Sequence, residues 1–226
     1  MKGRIFILLF IVLSIDGFAQ TFHVKPKVIQ LKVDLQEIVY AYPRIGIGYE
    51  SKFSKISLWG SVHFGWDGLA IQKNSPYYDD EFIYWGGKAG LKRTYYNGKG
   101  EFFLGVQLSM DYTKTGMTDD VYYDLKEKSA LLYDKANYLR ERVGLLVENG
   151  YEFYIGKRFS LELGYGIGIR RIQNWYKDIE NPFSLNDVEP IQIRNKTLYK
   201  YVGTLWRPAA IASIKFGYTF SSRLYD

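Results

Sequence analysis

Strict two-residue alternation between apolar and polar or glycine side chains recurs in eight separate segments of this chain. It constrains the fold more than any other feature. Phe159–Arg170 is the clearest case: Phe159, Leu161, Leu163, Tyr165, Ile167 and Ile169 alternate with Ser160, Glu162, Gly164, Gly166, Gly168 and Arg170. Successive strand side chains point to opposite faces, so this segment has one greasy wall and one wall of charge and glycine. A soluble sandwich would bury the greasy wall against a second sheet. A transmembrane barrel would give that wall to lipid and fill its own lumen with the charges.

The other seven segments repeat the pattern. They are Val28–Glu37, Arg44–Phe53, Ile56–Trp66, Ile83–Tyr96, Glu101–Tyr112, Arg140–Tyr154 and Ala209–Phe220. Strands two and three, four and five, and six and seven are joined by only a few residues, as in Asn97-Gly98-Lys99-Gly100 and Gly156-Lys157-Arg158. Such links are hairpin turns in which glycine supplies positive φ. The connections 67–82, 113–139 and 171–208 are long. Short turns at one end and long loops at the other are the asymmetry of outer-membrane barrels. Segments of about ten residues or more suit a tilted membrane crossing, whereas globular strands commonly run to about 5–6. Aromatics gather at both ends of the segments: Trp66, Trp85 and Tyr112 near the loops, Phe53, Tyr95, Tyr151 and Phe159 near the turns. The expected fold is all-β, an eight-stranded antiparallel up-and-down transmembrane β-barrel.

The N-terminus reads as an address. Lys2 and Arg4 precede the apolar run Ile5–Leu13, and Gly17-Phe18-Ala19 offers small residues for a signal peptidase. Residues 1–19 are expected to be a signal peptide and 20–226 the barrel, with its long loops exposed outside the cell. No later stretch approaches about 18 continuous apolar residues, which excludes a helical inner-membrane protein. The formal net charge of +6 is scattered without a basic run, so nucleic acid is not an expected partner. The absence of cysteine excludes disulfides, thiolate metal sites and cysteine nucleophiles. Two histidines make a poor metal set, and the acidic triplet Asp79-Asp80-Glu81 reads as solvated. No metal or cofactor is expected.

With the greasy walls outward, the opposite positions place Lys32, Asp34, Arg44, Glu50, Lys88, Lys92, Asp111, Arg142, Glu148, Glu152, Glu162, Arg170 and Lys215 in the lumen. Eight strands leave only enough interior for side chains to fill. Buried charges must pair or neutralise, so a plugged salt-bridge network is expected, with a narrow solute pore as the alternative. His63 lies two residues from Ser61 on one face, and Asp111 or Glu50 could orient its imidazole, which leaves a lipid-modifying enzyme open as a rival. The bland reading is a structural histidine with no catalytic residues in the chain. In the long loops, Tyr122, Tyr123, Trp175, Tyr176 and Trp206 could anchor an extracellular protein or glycan. The competing reading extends the strands and packs these aromatics on one another.

Signal peptide, eight alternating segments, short and long connections in turn, and the C-terminal run Lys215-Phe216-Gly217-Tyr218-Thr219-Phe220 together resemble small Gram-negative outer-membrane barrels. The transmembrane domain of OmpA and the OmpX-like proteins are the familiar members. The resemblance covers nearly all of the mature chain and implies an outer-membrane location among lipid and lipopolysaccharide. It also implies that the final strand, with Gly217, Tyr218 and Phe220, is read by the barrel-assembly machinery. Ser221–Asp226 follow Phe220, where many members end on the aromatic residue. The likeness is one of architecture, so it transfers function weakly.

Overall fold

The computed structural model describes residues 28–35, 44–66, 81–97, 99–124, 129–184 and 201–220. The expected signal peptide, most of the 67–82 connection and the Ser221–Asp226 tail lie outside them. All regular structure among the described residues is strand. The elements are β1 (Val28–Asp34), β2 (Arg44–Phe53), β3 (Ile56–Trp66), β4 (Ile83–Tyr96), β5 (Gly100–Asp124), β6 (Ser129–Ile155), β7 (Phe159–Glu180), the two-residue β8 (Phe183–Ser184) and β9 (Tyr201–Thr219). Ser54 at φ 60° and Gly156 at φ 66° turn the chain between β2 and β3 and between β6 and β7.

Each long strand pairs antiparallel with its neighbours, and β9 returns to β1, so eight strands close into a hydrogen-bonded ring. The stagger of that ring follows from the pairing. From Asp34 the partners run through Gly46, His63, Gly86, Asp111, Arg142 and Ile172 to Leu205 on β9. Asp34 is itself paired with Lys215. One circuit therefore climbs from Lys215 to Leu205, ten residues. With a rise of about 3.3 Å per residue and strands about 4.8 Å apart, that stagger tilts the strands by about 41° and gives a ring about 16 Å across between backbones.

Burial divides along the predicted period. In β1, Gln30, Lys32 and Asp34 are buried while Leu31 is exposed. Ile47, Phe64, Leu91, Val106, Val147, Ile167 and Ile214 are exposed on the outer wall. Aromatic contacts bracket this aliphatic band. Near one end Trp85 stacks on Tyr112 at 5.6 Å and Tyr112 meets Trp175 at 6.4 Å. Near the other, Tyr95 meets Phe102, Phe159 stacks on Phe216, and Tyr218 meets Phe220 edge-on. Phe102 and Tyr112 lie ten residues apart on β5, which is about 33 Å along a strand and about 25 Å along the axis of a ring tilted by about 41°.

The structure corrects the expected loops. Much of 113–139 is strand, with Thr113–Asp124 laddered to Ser129–Arg140, and β7 runs on to Glu180. Thr113–Asp124 scatters Met117, Val121, Tyr122 and Tyr123 among polar residues on both faces, so no continuous apolar face shows the period. The ribbon also reverses. Around the ring β5 runs antiparallel to β9, yet at its tip Tyr123 and Asp124 pair parallel with Tyr201 and Val202. The β5–β6 ribbon therefore folds back towards the start of β9. A small core of its own stabilises it: Tyr122, Tyr133 and Ala136, packed by Met117, Leu131, Tyr176, Ile179 and Val202.

Candidate functional site

Four lysines and five glutamates are buried inside the ring: Lys32, Lys52, Lys92 and Lys215 with Glu50, Glu101, Glu148, Glu152 and Glu162. Lys32 Nζ lies 2.6 Å from Glu50, 3.2 Å from Glu152 and 2.5 Å from Glu162. Lys52 bridges Glu101 at 2.8 Å and Glu152 at 2.7 Å. Lys92 and Lys215 both donate to Glu162, at 2.8 and 3.0 Å. Trp59 Nε1 donates to Glu148 at 3.1 Å, and its ring lies beneath Lys215 Nζ at 4.1 Å. Phe103 supports Lys92 in the same way at 4.4 Å. Buried ions cost several kcal/mol each unless geometry and further hydrogen bonds compensate, and this network supplies both.

Glycine makes room for two of the interior aromatics. A Cβ on Gly90 would come within 2.6 Å of Trp59 Nε1, and one on Gly150 within 2.6 Å of the Phe103 ring. The space left in this zone, lined by Lys32, Glu50, Trp59 and Lys215, is about 10 Å³, on the order of one water. Carboxylate oxygens of Glu50, Glu152 and Glu162 lie within 4.8 Å of one another, a spacing that could take a metal ion. Lys32 already contacts all three, so its ammonium fills the role a cation would have.

Towards the ribbon end the chemistry changes from lysine to arginine. Asp34 pairs with Lys88 at 3.3 Å, and Asp111 accepts from Arg142 Nε at 2.5 Å. The Arg44 guanidinium lies 3.8 Å over the Tyr84 ring. Arg140, Arg142, Arg170 and Arg207 line a cavity of about 260 Å³ with Asn174 and Tyr201. His63 lies fully buried on β3, its Nε2 2.8 Å from Ser61 Oγ. The acids considered as its partners are engaged elsewhere, Asp111 by Arg142 and Glu50 by Lys32 and Lys92.

Comparison with known proteins finds no matching family model, no similar curated protein and no matching solved structure. The chain's chemistry must be read from its own residues.

The lumen residues read from the sequence fall into two groups. Lys32, Glu50, Glu148, Glu162 and Lys215 belong to the lysine–glutamate network; Asp34, Arg44, Lys88, Asp111, Arg142 and Arg170 lie towards the arginine end. Four further charges line the interior: Lys52, Glu101, Arg140 and Arg207. Lys52 and Glu101 lie on the polar faces of their segments and Arg140 shares the parity of Arg142, so alternation places these three inward; Arg207 falls in the expected 171–208 connection, where no strand parity applies. The proposed loop anchors divide differently. Tyr122 is buried and stacks on Tyr176 at 4.6 Å. Burial among neighbouring tyrosines pushes the Tyr176 phenol well above its ordinary range. Trp175 faces outward against Tyr112, Tyr123 is part-buried at the ribbon tip, and Trp206 is 65% exposed. Gly217 faces inward, while Tyr218 and Phe220 face outward at the turn end, Tyr218 accepting from Arg158 at 3.1 Å.

Proposed function

We propose that this chain is an eight-stranded, up-and-down β-barrel of a Gram-negative outer membrane, reached after cleavage of residues 1–19. Its interior is plugged, and its role is structural or adhesive, exercised through the end that carries the β5–β6 ribbon. One observation carries the reading: the molecule is inside-out. Lys92, Glu50 and Glu162 are buried at 1%, 1% and 0% exposure while Val147 and Ile167 stand 54% and 67% exposed. Water would favour the opposite arrangement; lipid favours this one. An apolar band about 25 Å tall between aromatic belts suits an outer membrane.

The partners implied are outer-membrane lipid and lipopolysaccharide, the barrel-assembly machinery acting on Gly217, Tyr218 and Phe220, and an extracellular protein or glycan at the ribbon. The likeness to the OmpA transmembrane domain and OmpX-like proteins is proposed on architecture. A pore is disfavoured by the ion pairs that cross the ring from β2 to β6 and from β4 to β7. An enzyme centred on His63 is disfavoured because its side chain is fully enclosed and the nearby carboxylates are engaged.

Trypsin added to intact cells tests the topology, with fragments mapped by mass spectrometry. Cleavage at Lys126 or Lys128, between β5 and β6, with Lys157 and Arg158 protected until lysis, is the expected result. Cleavage at Lys157 or Arg158 in intact cells, or recovery of the protein without detergent, would overturn the reading.

A further inference from the structure

Exposed charge is sorted by end. The three short turns carry Lys55 between β2 and β3, Lys99 between β4 and β5, and Lys157-Arg158 between β6 and β7, all exposed. Arg93, on β4 close to the same end, is exposed as well. The turn sequences Ser54-Lys55, Asn97-Gly98-Lys99 and Gly156-Lys157-Arg158 contain no acid. The acids next along these strands, Glu50, Glu101, Glu152 and Glu162, are buried inside the ring. The flanking segments 20–27 and 221–226 only add to the excess, with Lys25, Lys27 and Arg223 against Asp226. At the ribbon end exposed charge is mixed instead, Glu81, Asp134, Asp178 and Glu180 standing among Lys135 and Lys177.

Two of the turn-end cations are arginines fixed against the aromatic belt. Arg93 has Ile56 and Leu104 as register partners, both exposed on the outer wall. Its guanidinium lies 5.4 Å from the Tyr95 ring. Arg158 donates to Tyr218 Oη at 3.1 Å, and Tyr218 is paired with Phe159 and packs edge-on against Phe220. Lys55 sits beside Arg93, its carbonyl accepting from Thr94 N at 2.8 Å.

This placement selects the kind of anion. A soluble polyanion approaches poorly a charge flanked by isoleucine and leucine. A headgroup layer suits it, because lipid phosphates stand where an apolar wall gives way to its aromatic belt, and long cationic side chains extend to that level. The arginine fork pairs bidentately with a phosphodiester, whereas lysine offers a point charge.

We propose that the turn-end rim is a docking surface for the phosphodiester headgroups of anionic phospholipids, with Arg93 and Arg158 as its fixed contacts and the turn lysines as a surrounding field. The surface rests on the membrane-barrel reading and deepens it: it names the lipid and the leaflet, the one on the turn side. It also sets the depth of the barrel, since both arginines hold the same belt to the headgroup level. Three strands separate Arg93 from Arg158, about 19 Å around the rim of a ring tilted by about 41°, so each contacts its own headgroup.

The test is non-denaturing mass spectrometry of the mature chain in zwitterionic detergent, titrated with phosphatidylglycerol or phosphatidylcholine, with folding checked by heat-modified gel mobility. Wild-type protein should retain phosphatidylglycerol in preference to phosphatidylcholine, less so as ammonium acetate is raised. Arg93→Gln and Arg158→Gln should each weaken phosphatidylglycerol binding about fivefold, the effect of one cation near a lipid surface. Arg93→Lys should keep most of the preference, which a merely structural role for the guanidinium would not. Lys177→Gln, on the ribbon side of β7, should leave it unchanged. Recovery of folded protein without detergent would remove the barrel reading and this surface with it. Equal retention of the two lipids by folded, detergent-dependent protein, or a preference unmoved by both glutamine variants, would overturn the docking surface alone.

Discussion

Glu162→Gln isolates what the buried ion network contributes. The side chain keeps its shape and loses its charge at a site with 0% exposure. The wild-type carboxylate takes both contacts from Lys92 at 2.8 Å, one from Lys215 at 3.0 Å and one from Lys32 at 2.5 Å. After substitution Lys32 keeps Glu50 and Glu152, and Lys92 keeps Glu50 at 3.4 Å. Lys215 is left with the face of Trp59 at 4.1 Å and the neighbouring charge of Glu148, and is the ammonium most affected. Breaking one partner out of a buried pair costs about 3–5 kcal/mol. Two of the three lysines keep a carboxylate, which favours the lower end. With a urea dependence of about 2 kcal/mol per molar, a loss of about 3 kcal/mol lowers the unfolding midpoint by about 1.5 M.

The assay is urea unfolding in phosphatidylcholine vesicles, followed by tryptophan fluorescence and gel mobility. Adding Lys215→Met removes the stranded ammonium, so the double variant should recover a substantial part of the loss. Glu81→Gln provides the contrast, because the Glu81–Lys114 pair is exposed and should leave the midpoint unmoved. A Glu162→Gln midpoint within about 0.3 M of wild type, or a double variant no better than the single, would refute the view that this network is tightly desolvated.

Gly90→Ala should destabilise by about 1–3 kcal/mol through overpacking, since its Cβ would meet both Trp59 Nε1 and the Val106 carbonyl at 2.6 Å; because the carbonyl cannot move away, Trp59→Leu should rescue it only in part, read by the same urea curves. Val106→Lys, on the outer wall at mid-height, should cost about 2–4 kcal/mol in vesicles, whereas Trp66→Lys at the rim should cost about 1 or less. Equal costs at the two depths would contradict a membrane setting for the outer band.

The eight ring strands were legible because each has one apolar and one polar face, and the bounds of β2, β3 and β4 match the expected ones. The ribbon was not. Beyond Tyr112 the β5 strand reads TKTGMTDDVYYD, with Met117 and Val121 among polar residues on one face and Tyr122 among them on the other, so neither face is continuously apolar and the two-residue period does not show. In the matching part of β7, Asp178 at φ 54° and the register shift opposite Lys135 and Asn137 break the period as well. Inward parity identified most of the charged interior, but partners on different strands depend on the stagger, and no local pattern carries that quantity.

The stagger also explains why the ribbon lands where it does. Because one circuit climbs ten residues, β1 covers only the turn-side part of β9, reaching Lys215 through Asp34. Among the described residues, the stretch of β9 above it is laddered to β7 on one side, and its opposite edge is open to another strand. Pro208, which lacks an N–H, is tolerable in such a strand. An open edge invites pairing, and the tip of β5 takes it at Tyr201 and Val202. The landing place of the ribbon is therefore a consequence of one geometric number, the stagger of the ring.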